Sequence, residues 1–213
     1  MQSLKMSKAD RFVNFLAKQI KENRTRFFTV IGFTLGVIML SGFVFIRLQT
    51  LKESSSDRLA AAYMYLRSGN QQQAAAHLNN AIIYSGNTPA AYQARLVKAD
   101  MMIENKDYTN ALLLLKETEE KGVPELIKPL ALSRIIYLYD QQKDYSNAIL
   151  YSNEFINKYS DSFLIKDVYI GLARYYLLTN SQEDAKNVYN EILIKFPATR
   201  EAEYAAAFLQ EEK

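Results

Sequence analysis

Four alanines, Ala74, Ala111, Ala148 and Ala185, stand 37 residues apart each time, and their surroundings repeat with them. The segment Lys106-Asp107-Tyr108-Thr109-Asn110-Ala111-Leu112 matches Lys143-Asp144-Tyr145-Ser146-Asn147-Ala148-Ile149. A fixed period of this size is the signature of stacked helical hairpins, each of which buries its apolar face only against its neighbours. Only 7 Gly and 4 Pro occur in 213 residues. So few turn formers suit helices joined by short connections. The expected fold is all-α: an N-terminal transmembrane helix, a solenoid of about four hairpins and a C-terminal capping helix. Such arrays offer surface for binding and seldom hold a catalytic centre.

Phe27 to Ile46 form a charge-free 20-residue stretch whose only polar side chains are Thr29, Thr34 and Ser41. As a helix it covers ~30 Å, the hydrocarbon thickness of a bilayer. A cleaved signal has a shorter apolar run, ~7–15 residues, and a small-residue cleavage site. Here Arg47-Leu48-Gln49-Thr50-Leu51-Lys52 follows instead, so an uncleaved anchor fits better. Residues 1–26 carry a net charge of +5, whereas residues 48–213 carry −3. The positive-inside bias keeps that arm in the cytoplasm and sends the C-terminal part across. The acidic body repels phosphate backbones, so nucleic acid is not an expected partner. The reading divides the chain into a basic arm (1–26), a transmembrane helix (27–47), a linker or helix extension (48–56) and a repeat domain (57–213).

Within the span, Gly32 and Gly36 are spaced as G-x-x-x-G, a pattern that lets two helices approach closely and so a route to a homodimer. In the arm, Phe12, Phe15, Leu16 and Ile20 fall at helical spacing beside Lys8, Arg11, Lys18 and Lys21. A helix lying on an anionic leaflet and a charged flank serving only orientation both fit that pattern. Ser54-Ser55-Ser56-Asp57 is the expected break between the membrane helix and the first repeat, since these residues prefer caps to helix interiors.

With each repeated alanine at position 20, the units begin at Ser55, Tyr92, Pro129 and Lys166. Position 8 is then Ala62, Ala99, Ile136 and Ala173, and position 11 is Tyr65, Met102, Tyr139 and Tyr176. Near position 27 stand Ala81, Thr118, Phe155 and Ile192. Small residues at 8 and 20 belong where the two helices of a hairpin cross, and larger ones at 11, 24 and 27 fill the space between hairpins. The pattern resembles the tetratricopeptide repeat family over residues 55–213, with Pro197 at the family's proline position. It departs at position 4, which is Arg58, Arg95, Leu132 and Tyr169. Three residues beyond the family's ~34 suggest longer helices or connectors. Asn70, Asp107, Asp144 and Ser181 stand where they can cap second helices, as Thr88-Pro89 and Thr199 can for first helices. Gly122 followed by Pro124 marks a helix stop and restart. Ala202, Ala205, Ala206 and Leu209 form the stripe of a capping helix, with Glu201, Glu203, Glu211 and Glu212 outward.

The resemblance places a partner groove on the first helices. Position 9, which usually faces it, is Tyr63, Asp100, Tyr137 and Arg174, and position 5 is Leu59, Leu96, Ser133 and Ile170. This mixed surface suits an extended or helical partner segment. The family's carboxylate-clamp members carry Asn at position 9; none stands there, so chaperone-tail capture of that type is not expected. The absence of Cys removes disulfides, thiol catalysis and cysteine metal sites. No nucleophile elbow, phosphate loop or zincin motif occurs. The single His77 reads as a surface or packing residue, and Glu117, Glu119 and Glu120 as a solvated run. No enzyme activity, cofactor or metal is expected.

The arm with Phe15-Leu16 and Lys21-Glu22-Asn23, the single span and the repeat domain resemble the YfgM-type ancillary subunits of the bacterial Sec translocon. That resemblance implies an inner-membrane anchor, periplasmic repeats, and work beside the Sec translocon and membrane-bound periplasmic chaperones. The ending Phe163, Phe196-Pro197, Ala202 and Ala205 also resembles repeat proteins of envelope assembly. A scaffold for envelope assembly, division or secretion therefore remains the alternative.

Overall fold

In the computed structural model, residues 24–211 are described, together with residues 11, 14, 15, 18 and 21. Phe12, Leu16, Ile20 and Lys8 of the arm, and Glu212, lie outside the described residues. Among the described residues the secondary structure is helical: α1 (Arg24–Arg67), α2 (Gln71–Ser85), α3 (Pro89–Glu104), α4 (Tyr108–Lys121), α5 (Ile127–Gln141), α6 (Tyr145–Lys158), α7 (Ile165–Leu178), α8 (Gln182–Lys195) and α9 (Arg200–Glu211). The chain forms two compact units, Met1–Thr50 and Leu51–Lys213.

In the first unit, α1 is long and apolar enough to cross a membrane. Phe33, Met39 and Phe45 are among its most exposed side chains. Its hydroxyls are satisfied within the helix. Thr29 donates to Thr25 O at 2.7 Å, Thr34 to Val30 O at 2.8 Å and Ser41 to Val37 O at 2.8 Å. A helix that leaves no side-chain polar group unpaired is the form a hydrocarbon solvent tolerates. A Cβ built at Gly32 or Gly36 meets nothing within 4 Å.

The second unit is a series of antiparallel hairpins, α1/α2, α3/α4, α5/α6 and α7/α8, closed by α9. Where a break was expected, Ser54 to Asp57 are helical. Ser55 is fully buried, and its hydroxyl accepts a 3.0 Å hydrogen bond from Thr88 Oγ1 in the first connector. That tertiary partner satisfies a side chain which would otherwise compete for the backbone.

The repeat register is visible in burial. Ala74, Ala111, Ala148 and Ala185 are completely buried, as are Ala62, Ala99 and Ala173 opposite them. The third hairpin exchanges sizes, with Ile136 at position 8 and the buried Ser152 at position 24, where Leu78, Leu115 and Tyr189 stand in the others. The Ser152 hydroxyl has no partner. Ala81, Thr118, Phe155 and Ile192 are wholly buried between hairpins. A continuous core runs from Tyr92 to Ala205, and a smaller one joins Leu59, Ala62, Ala74, Leu78, Ala81, Ala94 and Met101.

The turn inside each hairpin also repeats at 37 residues. Gly69, Lys106, Lys143 and Asn180 all adopt left-handed backbone, with φ of 75°, 62°, 58° and 58°. At each turn two N–H groups return to the closing helix: Gly69 to Leu66 O and Asn70 to Tyr65 O in the first, Lys143 to Asp140 O and Asp144 to Tyr139 O in the third. This is the Schellman closure, which satisfies carbonyls that a helix end leaves orphaned. Asn70, Asp107 and Asp144 then cap the next helix, accepting from the N–H of Gln73, Asn110 and Asn147. Ser181 does not: its hydroxyl faces that of Thr179 at 3.5 Å instead. Thr88 caps α3 through Ala91 N, and Thr199 caps α9 through Ala202 N. Gly122 ends α4 for reasons of space rather than handedness. Its φ is −59°, and a Cβ there would lie 2.5 Å from Thr118 O and 2.8 Å from Ile127 Cγ2.

Two stability outcomes follow from these contacts. Lys143→Gly relieves a left-handed L-residue and should raise unfolding free energy by up to about 1 kcal/mol, measured by urea titration. Ala148→Leu should overpack the crossing and lower it by ~1–3 kcal/mol. An unchanged midpoint for Ala148→Leu would mean that the crossing has room.

A segmented concave face as the candidate interaction site

The first helices α3, α5 and α7 present their polar face between hairpins, and the position 9 side chains come from their middle turns. Tyr137 is exposed at 49 % and Tyr63 at 44 %, each offering a phenol ring to solvent. Asp100 and Arg174 are held by neighbours that pattern reading missed. Arg134 Nε donates to both Asp100 carboxylate oxygens, at 2.8 and 3.0 Å. Arg174 Nη2 donates to Asp140 Oδ2 at 2.9 Å, and its guanidinium lies 5.0 Å from the centre of the Tyr175 ring. Both pairs join residues 34 apart, one repeat less one helical turn, so each ties a first helix to the next. A search for opposite charges at that spacing would have found them.

Burial is the larger influence on Asp100 and pushes its carboxyl above the usual value; the Arg134 charge and hydrogen bonds offset this in part. Folding therefore makes ionisation of Asp100 harder than in the unfolded chain. The contribution of Asp100 to stability rises as pH falls through its raised folded pKa and is unfavourable above it.

Position 5 splits. Leu59 and Leu96 are only 6 % and 3 % exposed and belong to the core, so they present no surface to a partner. Leu59 belongs to the cluster that holds Ala94 and Met101 of the following hairpin, and Leu96 to the larger core. Ser133 is half-buried and donates to Leu130 O at 2.9 Å. It joins Tyr137, Asp140, Gly171, Arg174 and Tyr175 around a cleft of about 230 Å³ between α5 and α7. Ile170 lines a second cleft of about 310 Å³ with Asp167, Arg200, Glu201 and Tyr204, between α7 and α9. Asp167 borders both. Of the eight expected residues, Ser133, Tyr137 and Arg174 share one cleft, Ile170 lines the next, Asp100 is engaged by Arg134, Tyr63 is exposed on α1, and two are core.

Small-molecule sites usually enclose ~300–1,000 Å³. At about 230 and 310 Å³ these open clefts lie at or below the lower end of that range and match single side chains of a peptide laid across the helices. Among the described residues no group of three or more His, Asp or Glu could hold a metal ion. His77 stacks on Tyr65, with ring centres 5.2 Å apart.

No family model matches the chain, and no curated protein matches it. Among solved structures it is similar to a tetratricopeptide repeat protein from Parabacteroides merdae ATCC 43184, with a TM-score of 0.59 and 14 % identity. The match covers 74 % of this chain and 59 % of that one, so the chain spans less than two thirds of its neighbour. The likeness is one of fold: an all-α, tetratricopeptide-like solenoid.

Both ion pairs are solvent-accessible, and such pairs contribute ~0–1 kcal/mol. Asp100→Asn should therefore leave thermal stability at neutral pH unchanged or slightly raised while flattening its dependence on acid. A large destabilisation at pH 7 would show that the charged carboxylate is needed.

Proposed function

We propose that the chain is a membrane-anchored protein-interaction module that binds partner or client polypeptides at the outer face of the bacterial inner membrane. On this reading it serves as an ancillary subunit beside the Sec translocon and a membrane-bound periplasmic chaperone. The observation that carries the binding role is the α5–α7 cleft. Its Tyr137 ring is free, while its Arg174 is already positioned by Asp140 and Tyr175. Aromatic and arginine side chains are the commonest interface anchors, and a side chain fixed before binding loses little freedom on contact. The self-satisfied apolar helix supports the anchor, and the basic arm supports the orientation.

Two experiments test this. Protease added to spheroplasts should digest the repeat domain and spare the span; a mature protein beginning after residue 46 would contradict the anchor. A photocrosslinker at residue 133, in the same cleft, should capture translocon or chaperone subunits, and adding Tyr137→Ala should reduce capture by about tenfold or more, the loss expected for a hot-spot aromatic. Capture of envelope-assembly or division components instead would favour the scaffold role. Crosslinks confined to the second helices would reject the groove.

A further inference from the structure

The two edges of the solenoid differ in chemistry. One carries the turns inside hairpins, which are polar: Asn105-Lys106-Asp107 and Gln142-Lys143-Asp144 are representative. The other carries the connectors between hairpins and the last turns of α2, α4, α6 and α8. Six exposed large apolar side chains lie on this connector edge: Ile83, Tyr84, Val123, Leu126, Phe163 and Ile194, from 40 % exposed at Val123 to 79 % at Ile194. The turn edge has two, Met64 and Leu178. Every hairpin contributes to the apolar row, so it is a property of the edge rather than of one loop. Soluble surfaces scatter such residues singly, and a contiguous row marks a contact.

The chain enters the solenoid on that same edge. Ser55 in α1 is bonded to Thr88 in the first connector. Leu51, the first residue of the solenoid unit, follows Ile46 by five residues. Five residues reach at most ~18 Å even when fully extended. Where residues 27–46 cross a bilayer, Leu51, at which the chain enters this edge, therefore lies within that distance of its surface, whatever path the intervening residues take.

We propose that the connector edge rests on the lipid surface, with Leu126 and Phe163 inserted at headgroup level; this rests on the reading of residues 27–46 as a span. Leu126 and Phe163, 55 % and 62 % exposed, border one open cleft of about 470 Å³ together with Pro129, Tyr159 and the polar Glu125, Lys158 and Asp161. Tyr84 is of the amphipathic aromatic type that settles at a membrane–water boundary, and Phe163 of the type that inserts on the apolar side. Lys121, Lys158 and Lys195 end α4, α6 and α8, but Lys158 is paired with Glu119 and Glu154 and Lys195 with Glu191. Glu120, Glu125 and Asp161 stand among them, so the edge has no net attraction for anionic lipid. Apolar insertion to ~5–10 Å drives the contact, which is therefore insensitive to salt and present on zwitterionic lipid.

The chain has no cysteine, so single reporters can be placed at will. Full-length Leu126→Cys, Phe163→Cys, Asn105→Cys and Gln142→Cys variants would be labelled with nitrobenzoxadiazole and reconstituted into phosphatidylcholine vesicles containing nitroxide-labelled lipid. Quenching should be several-fold stronger at 126 and 163 than at 105 and 142, and unchanged in high salt. A reporter at Val123→Cys should lose its quenching when Leu126 and Phe163 are both replaced by Ser. Equal, weak quenching at all four positions, with the chain still resistant to alkaline extraction, overturns the lipid contact while the span stands. Release of the chain by alkaline extraction overturns the contact together with its premise.

Discussion

The close approach of two helices at an alanine pair is the constraint on which the solenoid depends. At Ala62/Ala74, Ala99/Ala111 and Ala173/Ala185 no side chain stands off the backbones, and all six residues are sealed from water. The crossing distance sets how far apart the hairpin arms diverge, and that divergence sets the space that Leu78, Leu115 and Tyr189 fill. The third hairpin meets the same constraint with a different distribution of volume. Ile136 adds bulk at position 8, and Ser152 withdraws it at position 24, leaving a buried hydroxyl without a partner. Volume is approximately conserved, and hydrogen bonding is what that hairpin gives up.

Closure of each hairpin is equally repetitive. The left-handed residue is a glycine only in the first turn; Lys106, Lys143 and Asn180 accept a conformation costly for L-residues because two returning N–H bonds hold it, joined by an Asp cap after Lys106 and Lys143. Connectors between hairpins vary instead, from Gly86–Thr88 to the longer stretch 159–164. Rigidity thus lies inside the units and variation between them, which is where neighbouring first helices gain or lose contact. Helices α3 and α5 pack directly, whereas α5 and α7 stand apart over the cleft that Tyr137 and Arg174 border.

Much of this was legible in the residues. The 37-residue interval located the crossings, the turns and the buried positions at 24 and 27, because those features depend on local size and backbone chemistry. The Ser54–Asp57 segment misled because its composition favours a break, yet Ser55 finds a partner 33 residues away that composition does not reveal. Leu59 and Leu96 misled for a related reason. Position 5 sits at the margin between groove and core, and the tilt between successive hairpins decides its side. The ion pairs Asp100–Arg134 and Asp140–Arg174 were hidden by treating each repeat position as a column, whereas the contacts run diagonally from one unit to the next.

Those diagonal pairs have a mechanical meaning. In an array whose units touch only their neighbours, bending distributes itself over joints in series, and the most compliant joint takes the largest share. The α3–α5 joint is packed and clamped by two short bonds from a single guanidinium nitrogen. At α5–α7 one such bond bridges an open gap. Of these two joints α5–α7 is the less constrained, so a segment wedged there would act on the pitch of the array as well as on the two helices it touches.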